Sequence, residues 1–493
     1  MVQCSRFISK LLSFLANCVL WIVLVCVYTV PLLIGFCIRC TINYAVQRRE
    51  SSLTPLSPND ILLIREAPDK QPIANGGLII KVDGKLDFVS IREQFFKLFL
   101  QTGNLDRYEN LYCDIVKRCG YLYKRRIVED FTLPRWEDHF IYKEENLTDI
   151  KKEFSAWFQE KYVEGKPLWQ MLVAVSPTSD ESWVGFKGHH ALMDGYSFVH
   201  ILDTMCNNQP MKLGAKEENF SRIETIQLVF SLPLVAIKYL LRHFWFKDGF
   251  PTDLPKLTEE AVLPIALASV DLQPLKMIRR KLNLKFPSIV YSLQVGALSR
   301  ALADIDMKET LLSTSFPVPN HPRNKLTNHW SGGTVKIPFR ENSALKRVLA
   351  SNDSFNKMTG QQGPYLVWKY VAWLPWLFPA FLNYSMSFSN LSLFRYRASM
   401  SCMLQSEVEY TLMGCKVINV FHAPVMKDSF PQAVILGCSS THSTKCDFSL
   451  FGHPALFHDQ DEMDRLMGHL KSELEQLLRE CDLDEINLNW KQE

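Results

Sequence analysis

"GFKGHHALMDGYSFVHIL", residues 185–202, is the stretch on which the fold turns. An apolar run ends at His189 and His190, and Ala191, Leu192 and Met193 separate that pair from Asp194-Gly195. A second apolar pattern then begins with helical spacing. Strand, polar turn and helix in that order are the signature of a layered α/β fold. The flanking runs agree. "PLWQMLVAVS" (167–176) and "ESWVGFKGHHAL" (181–192) predict two strands around a Pro-Thr-Ser-Asp turn. "GYSFVHILDTMC" (195–206) predicts a helix that starts just past Asp194.

A histidine at a strand end projects into a cleft while the sheet holds its backbone. With an ordinary pKa of about 6.5, it is the side chain best suited to proton transfer near neutral pH. Asp194, ahead of the helix, is placed to accept backbone N–H groups of the turn or to pair with an arginine elsewhere. Gly195 suits a tight turn that a Cβ would obstruct. Adjacent strand residues point to opposite faces, so His189 and His190 do not share one ion, and no metal is expected. The plainer reading, two strand-end histidines and an N-cap, suits a lone histidine better than the whole string.

Working outward, "GGLIIKVDGKLD" (76–87) reads as a strand with a turn and "FVSIREQFFKLFL" (88–100) as an amphipathic helix. A second α/β stretch follows: a helix at 286–305, strands at 310–319, 332–339 and 433–440, and a charged amphipathic helix at 461–481. "GPYLVWKYVAWLPWLFPAFLNYSMSFSN" (363–390) is apolar and dense in Trp; it fits a membrane-facing wedge or the wall of an apolar tunnel. Residues 225–246 fit either a helix lying in a membrane interface or a buried core helix.

From Leu11 to Ile38 the chain carries no charge, and about 20 such residues suffice to cross a bilayer. The run exceeds a signal-peptide core and no clear cleavage pattern follows, so a retained single-pass anchor is expected ahead of a cleaved signal. Arg39, Arg48 and Arg49 after the run, against Arg6 and Lys10 before it, lean toward a cytosolic body. Pro31 permits a kink or a re-entrant hairpin. The expected organisation is an anchor (1–50), a first α/β domain (51–205), a linker with an apolar helix (206–254) and a second α/β domain (255–485).

The 493 residues are 47% apolar and 22% charged with a net charge of +3, which leaves no basic footprint for nucleic acid. No phosphate-binding glycine loop or zinc-type cysteine spacing is present. The 13 cysteines show no framework pattern and read as reduced thiols. Five Asn-x-Ser/Thr sequons, beginning at Asn146, Asn219, Asn352, Asn383 and Asn390, favour a luminal body weakly.

The string from His189 to Gly195 resembles the HHxxxDG motif of the acyl-CoA-dependent acyltransferase superfamily. Within it the chain is similar to the bifunctional wax ester synthase/diacylglycerol acyltransferase family over most of its soluble length. "PLSPND" (55–60) is similar to that family's opening motif and "PLWQMLV" (167–173) to its Pro-Leu-Trp stretch. "FPVPNHPRNKLTNHWSGG" (316–333) resembles its second-half segment, and "YTLMGCKV" (410–417) a late strand motif. Two elements depart: the family's Asn-Asp pair falls on Pro287 and Ser288, and its "NVPGP" element survives only as Ser389-Asn390.

The resemblance implies two chloramphenicol-acetyltransferase-like mixed-sheet domains with an active-site tunnel between them, behind an N-terminal transmembrane anchor. It implies transfer of a long-chain acyl group from acyl-CoA, as co-substrate, to a lipid alcohol, with no cofactor and no covalent acyl-enzyme. His190 would be the general base, His189 and Asp194 supports, Gly195 part of the motif, and Asn328 and Ser331 the oxyanion-side candidates. The endoplasmic reticulum membrane is the expected location, with lipid droplet or plasma membrane behind it. A different acceptor, or an inactive membrane-tethered lipid-binding scaffold, are the alternatives that the departures keep open.

Overall fold

The computed structural model describes residues 2–61, 64, 74–101, 106–127, 133–144, 147–206, 221–245, 262–305, 307–317, 322, 325–360, 373–380, 398–404, 409–423, 425–426, 434–441 and 444–493. Most of the Trp-rich stretch, and Ser389-Asn390, lie outside them.

Helix α1 (Val2–Arg49) leads into β1 (Leu53–Pro55), the short α2 (Pro58–Ile61) and β2 (Ala74–Asp83). Helix α3 (Phe88–Phe95) and a π turn through Leu100 follow. Next come β3 (Cys113–Arg118), β4 (Tyr121–Arg126), β5 (Phe140–Glu144) and α4 (Leu147–Gln159). Strands β6 (Trp169–Val175) and β7 (Glu181–His189) then lead to α5 (Gly195–Cys206). Beyond α6 (Arg222–Trp245) lie β8 (Ile265–Asp271), α7 (Leu272–Leu282), α8 (Phe286–Ala301), β9 (Glu309–Pro317) and β10 (Trp330–Pro338). Helices α9 (Ala344–Gly360) and α10 (Trp373–Leu377) precede β11 (Ala398–Leu404), β12 (Thr411–Leu412), β13 (Cys415–His422) and β14 (Val425–Met426). The chain closes with β15 (Val434–Thr441), β16 (Lys445–Gly452), α11 (Gln460–Glu480) and β17 (Lys491–Gln492).

Two large mixed sheets carry the fold, ordered β12-β13-β2-β7-β6-β5, with β14 also on β2, and β10-β9-β11-β15-β16-β8-β17. Every residue of β6 is buried, as expected for a strand covered on both faces. Helices α8 and α11 cover the second sheet, and their apolar faces supply much of its core. The division at residue 255 does not describe the pairing: β12, β13 and β14, late in the chain, belong to the first sheet. The turn Met413-Gly414, with φ of 53° and 82°, closes the β12–β13 hairpin. Tyr410 donates its hydroxyl to Asp203 at the end of α5.

Strand β13 also ties the sheets together. Asp447 of β16 accepts from Asn419 Nδ2 at 2.8 Å and from the Val420 N–H at 3.0 Å, beside a bulge between Val417 and Asn419. A common apolar cluster mixes Ile79, Trp157 and Leu172 of the first half with Ile265, Ile435 and Phe451 of the second. The halves therefore form one body. A third, small sheet, β1-β4-β3, receives the C-terminal part of α1.

Candidate active site

The Pro-Leu-Trp stretch is the seat of the histidine strand. Trp169 is fully buried, donates its indole N–H to Leu111 O at 2.9 Å, and stacks among Phe95, Phe186 and His139. It pairs with Gly188 of β7, and His189 N–H donates to Leu168 O at 2.9 Å. His189 points into the body: it is buried, and its Nδ1 accepts from Ala191 N–H at 3.2 Å. Burial, with His190 second, holds its pKa at about 3, so the ring is neutral and shapes the turn.

His190 is half-buried, with Nδ1 enclosed and without a partner outside its own residue, and the Asn328 side chain is its hydrogen-bonding neighbour. Burial lowers its pKa, against the opposing pull of its own carbonyl, Asp194 and Asn328. Gly76 of β2 leaves the room: a Cβ there would lie 2.4 Å from Phe198 and 3.5 Å from the His190 ring.

Asp194 caps α5 and stitches the motif to the other half. Its Oδ1 accepts from Ser197 N–H at 2.9 Å and Oγ at 3.1 Å, and its Oδ2 accepts from His329 N–H at 2.9 Å. Its own N–H donates to Thr327 O at 3.2 Å, and Asn110 Nδ2 bridges Leu192 O and Leu326 O. Backbone N–H groups and the Ser197 hydroxyl are among its bonded neighbours. The reason for Gly195 also differs from the expectation. Its φ is not positive; what excludes a side chain is the Met403 sulfur of β11, 2.5 Å from the position a Cβ would take.

The loop stitched by Asp194 delivers Asn328. Its Nδ2 donates to Asp60 Oδ1 at 3.0 Å, and its Oδ1 is buried without a partner. Asp60 belongs to "PLSPND" and closes a capping box with Ser57, accepting from Ser57 N–H at 2.9 Å. Burial pushes the Asp60 carboxyl up, against Ser57 and Asn328. Trp330 follows, with its ring 6.0 Å from that of His190 and its Nε1 buried without a hydrogen-bond partner. Ser331 is buried next to it, on the opposite face of β10 by strand alternation. Ser288 takes Asn352 and Ser351 of α9 as its partners.

Sequence reasoning missed His422. It ends β13, is buried with Nδ1 unpartnered, and has Nε2 3.7 Å from where a Gly195 Cβ would stand. Burial, with His190 second, holds its pKa at about 3. "YTLMGCKV" was the available signal, because its hairpin sets the register of β13. Among the described residues, no cluster of three or more His, Cys, Asp or Glu could hold a metal ion.

No family model matches the chain, and no curated protein matches it in sequence. Solved structures do. The wax ester synthase/diacylglycerol acyltransferase from Marinobacter aquaeolei VT8 superposes with a TM-score of 0.59 at 16% identity, covering 87% of this chain and 100% of that one. The first condensation domain of the calcium-dependent antibiotic synthetase, in complex with a substrate analogue, gives 0.54 at 11%, covering 88% and 99%. A variant starter condensation domain of rhizomide synthetase, in complex with C8-CoA and Leu-SNAC, gives 0.53 at 12%, covering 91% and 99%. The chain thus has the two-unit α/β fold of these acyltransferases and condensation domains.

Proposed function

We propose that the protein is a membrane-bound O-acyltransferase that moves a long-chain acyl group from acyl-CoA to a lipid alcohol. The observation that carries this reading is His190: a half-buried imidazole at the seam of the two halves, kept neutral by burial, with Asn328 and the Trp330 ring beside it. Nε2 takes the hydroxyl proton of the acceptor, and the oxygen attacks the thioester carbonyl. The C–S bond then breaks, and the imidazolium returns the proton to the CoA thiolate, giving ester and free CoA. The acyl group passes directly, so neither a nucleophilic side chain nor a cofactor takes part. Asn328 and the unpartnered Trp330 N–H are the donors at hand for the tetrahedral oxyanion.

A fatty alcohol, giving a wax ester, or a diacylglycerol, giving a triacylglycerol, fits the exposed apolar surface of α1, which offers a lipid-side attachment. The cytosolic face of the endoplasmic reticulum is the proposed site of action, since acyl-CoA is a cytosolic metabolite.

The test is ester formation from labelled palmitoyl-CoA by membranes carrying wild type or His190→Ala, with hexadecanol, diacylglycerol and cholesterol as acceptors. Loss of general-base catalysis lowers the rate by about 10²–10⁴-fold at equal protein level. Equal product from both would remove His190 from the mechanism. No product from any acceptor would favour a different acceptor or an inactive lipid-binding scaffold.

A further inference from the structure

Helix α6 packs along the N-terminal part of α1 through an unusual set of bonds. Pro233 has no N–H and crowds the carbonyl four residues back, so the helical ladder is interrupted there. Two side chains one turn apart on α1 meet the backbone at this break. Trp21 donates its indole N–H to Phe230 O at 3.0 Å, and Asn17 Oδ1 accepts from Leu234 N–H at 3.2 Å. The rings of Phe14 and Phe230 lie 5.3 Å apart, tilted by 31°. Asn17 meets residue 234, whereas Trp21 lines a cleft with Thr225, Ile226 and Val229, so the two helices run antiparallel. Within hydrocarbon, where no water can satisfy freed backbone groups, such bonds hold helices together.

The far part of α1 is tied to the body. Arg39 is buried, with its guanidinium 4.1 Å from the Tyr121 ring centre and 5.1 Å from that of Trp376. Val46 packs with Leu53, Tyr121 and Tyr123. Between these two attachments α1 exposes Ile22, Val25, Val30 and Leu33 to its surroundings. Such an apolar surface belongs in lipid.

Helix α6 leaves and re-enters one folded body, since Cys206 ends α5 and Ile265 lies in the core shared by both halves. The connecting sequence at 207–221 contains Lys212, Lys216, Glu217 and Glu218. That at 246–261 contains Lys247, Asp248, Asp253, Lys256, Glu259 and Glu260 with two prolines. Neither is suited to cross a hydrocarbon core about 30 Å thick. Had α1 crossed to the far side, the part of it that binds α6 would lie there too, and both connectors would have to follow.

We propose that α1 and α6 form a one-sided membrane anchor, an antiparallel pair seated in the leaflet facing the body, with the N-terminus on the body's side. This takes the place of the single crossing expected from the sequence, and it rests on the membrane attachment proposed above. The exposed Ile223 and Ile226 of α6 enter the same leaflet. The anchored face also leads to the site: α1 packs on α10, α10 on α2, and α2 carries Asp60, the partner of Asn328. A membrane-dissolved acceptor therefore has a short path to His190.

The test uses the full chain in sealed microsomes, with an N-terminal sequon and epitope and a C-terminal epitope. Expected are digestion of both epitopes by external protease, an unmodified N-terminal sequon, and retention on the membrane after a high-salt wash. A protected, glycosylated N-terminus with a digested C-terminus would mean a single crossing and overturn the proposal, as would release by salt. Both epitopes protected, with the N-terminal sequon glycosylated, would support one-sided seating and overturn the cytosolic placement. A Phe14→Cys, Phe230→Cys pair is expected to be joined by a short bis-methanethiosulfonate linker, which bridges the gap left by the two rings; no joining would break the helix pair and the proposal with it. No readout involves acyl transfer, so the anchor and the catalytic reading fail separately.

Discussion

His189, His190 and His422 are three imidazoles in one buried region, all with pKa values lowered chiefly by burial. For catalysis the sign favours a base that stays neutral at cytosolic pH. The acid limb of kcat is expected below pH 6.5, read from the pH–rate profile of the ester assay. For stability the sign is opposite. His189 and His422 take up protons near pH 3 when folded and near 6.5 when unfolded, so the unfolded chain binds more protons between those values. Stability is whole above about pH 6.5 and falls as pH drops through that window, by at most about 1.4 kcal/mol per pH unit for each group. His422→Gln removes one contribution; urea unfolding between pH 5 and 7 should show a shallower pH slope than wild type. An unchanged slope would mean that His422 is not held neutral.

At the scale of elements, the contact between α5 and β11 is tight. Gly195→Ala places a methyl 2.5 Å from the Met403 sulfur, an overpacking that costs about 1–3 kcal/mol unless the methionine moves. Adding Met403→Ala should restore most of the activity lost to Gly195→Ala, because it reopens the space; a double variant no better than the single one would point to backbone strain instead. The same scale shows why some elements were legible and others not. Helix α5 begins at Gly195, where the apolar spacing and Asp194 placed it, because capping and periodicity are local chemistry. The pairing of β13 with β2 was not legible, because nothing in the strand itself records which sheet it joins; the Met413-Gly414 hairpin and the bond of Tyr410 to Asp203 hold it there.

At the scale of the whole molecule, one buried charge tunes stability. Lys187 lies fully enclosed in β7, its ammonium donating to Trp157 O and to Glu160 O, over the rings of Trp157 and Tyr162. Burial lowers its pKa to about 7. The unfolded chain therefore holds more protons between about pH 7 and 10.5, and this group's contribution to stability rises with pH there. Lys187→Met should flatten that rise, seen as the difference in Tm between variant and wild type from pH 7 to 9. Equal pH dependence would show that the ammonium stays charged in the fold.

The sequence by itself determined the α/β class, the strand–turn–helix around His190, the strand at 167–176 before it and the apolar character of α1, all written in neighbours a few residues apart. Tertiary structure alone decided that Asp60, Asn328, Trp330, Met403 and His422 gather around that turn. It also decided that Asp194 serves as a stitch and that α6 lies along α1. Those outcomes depend on strand pairing and helix packing between distant segments, and no local period or spacing records which distant partner a segment will find.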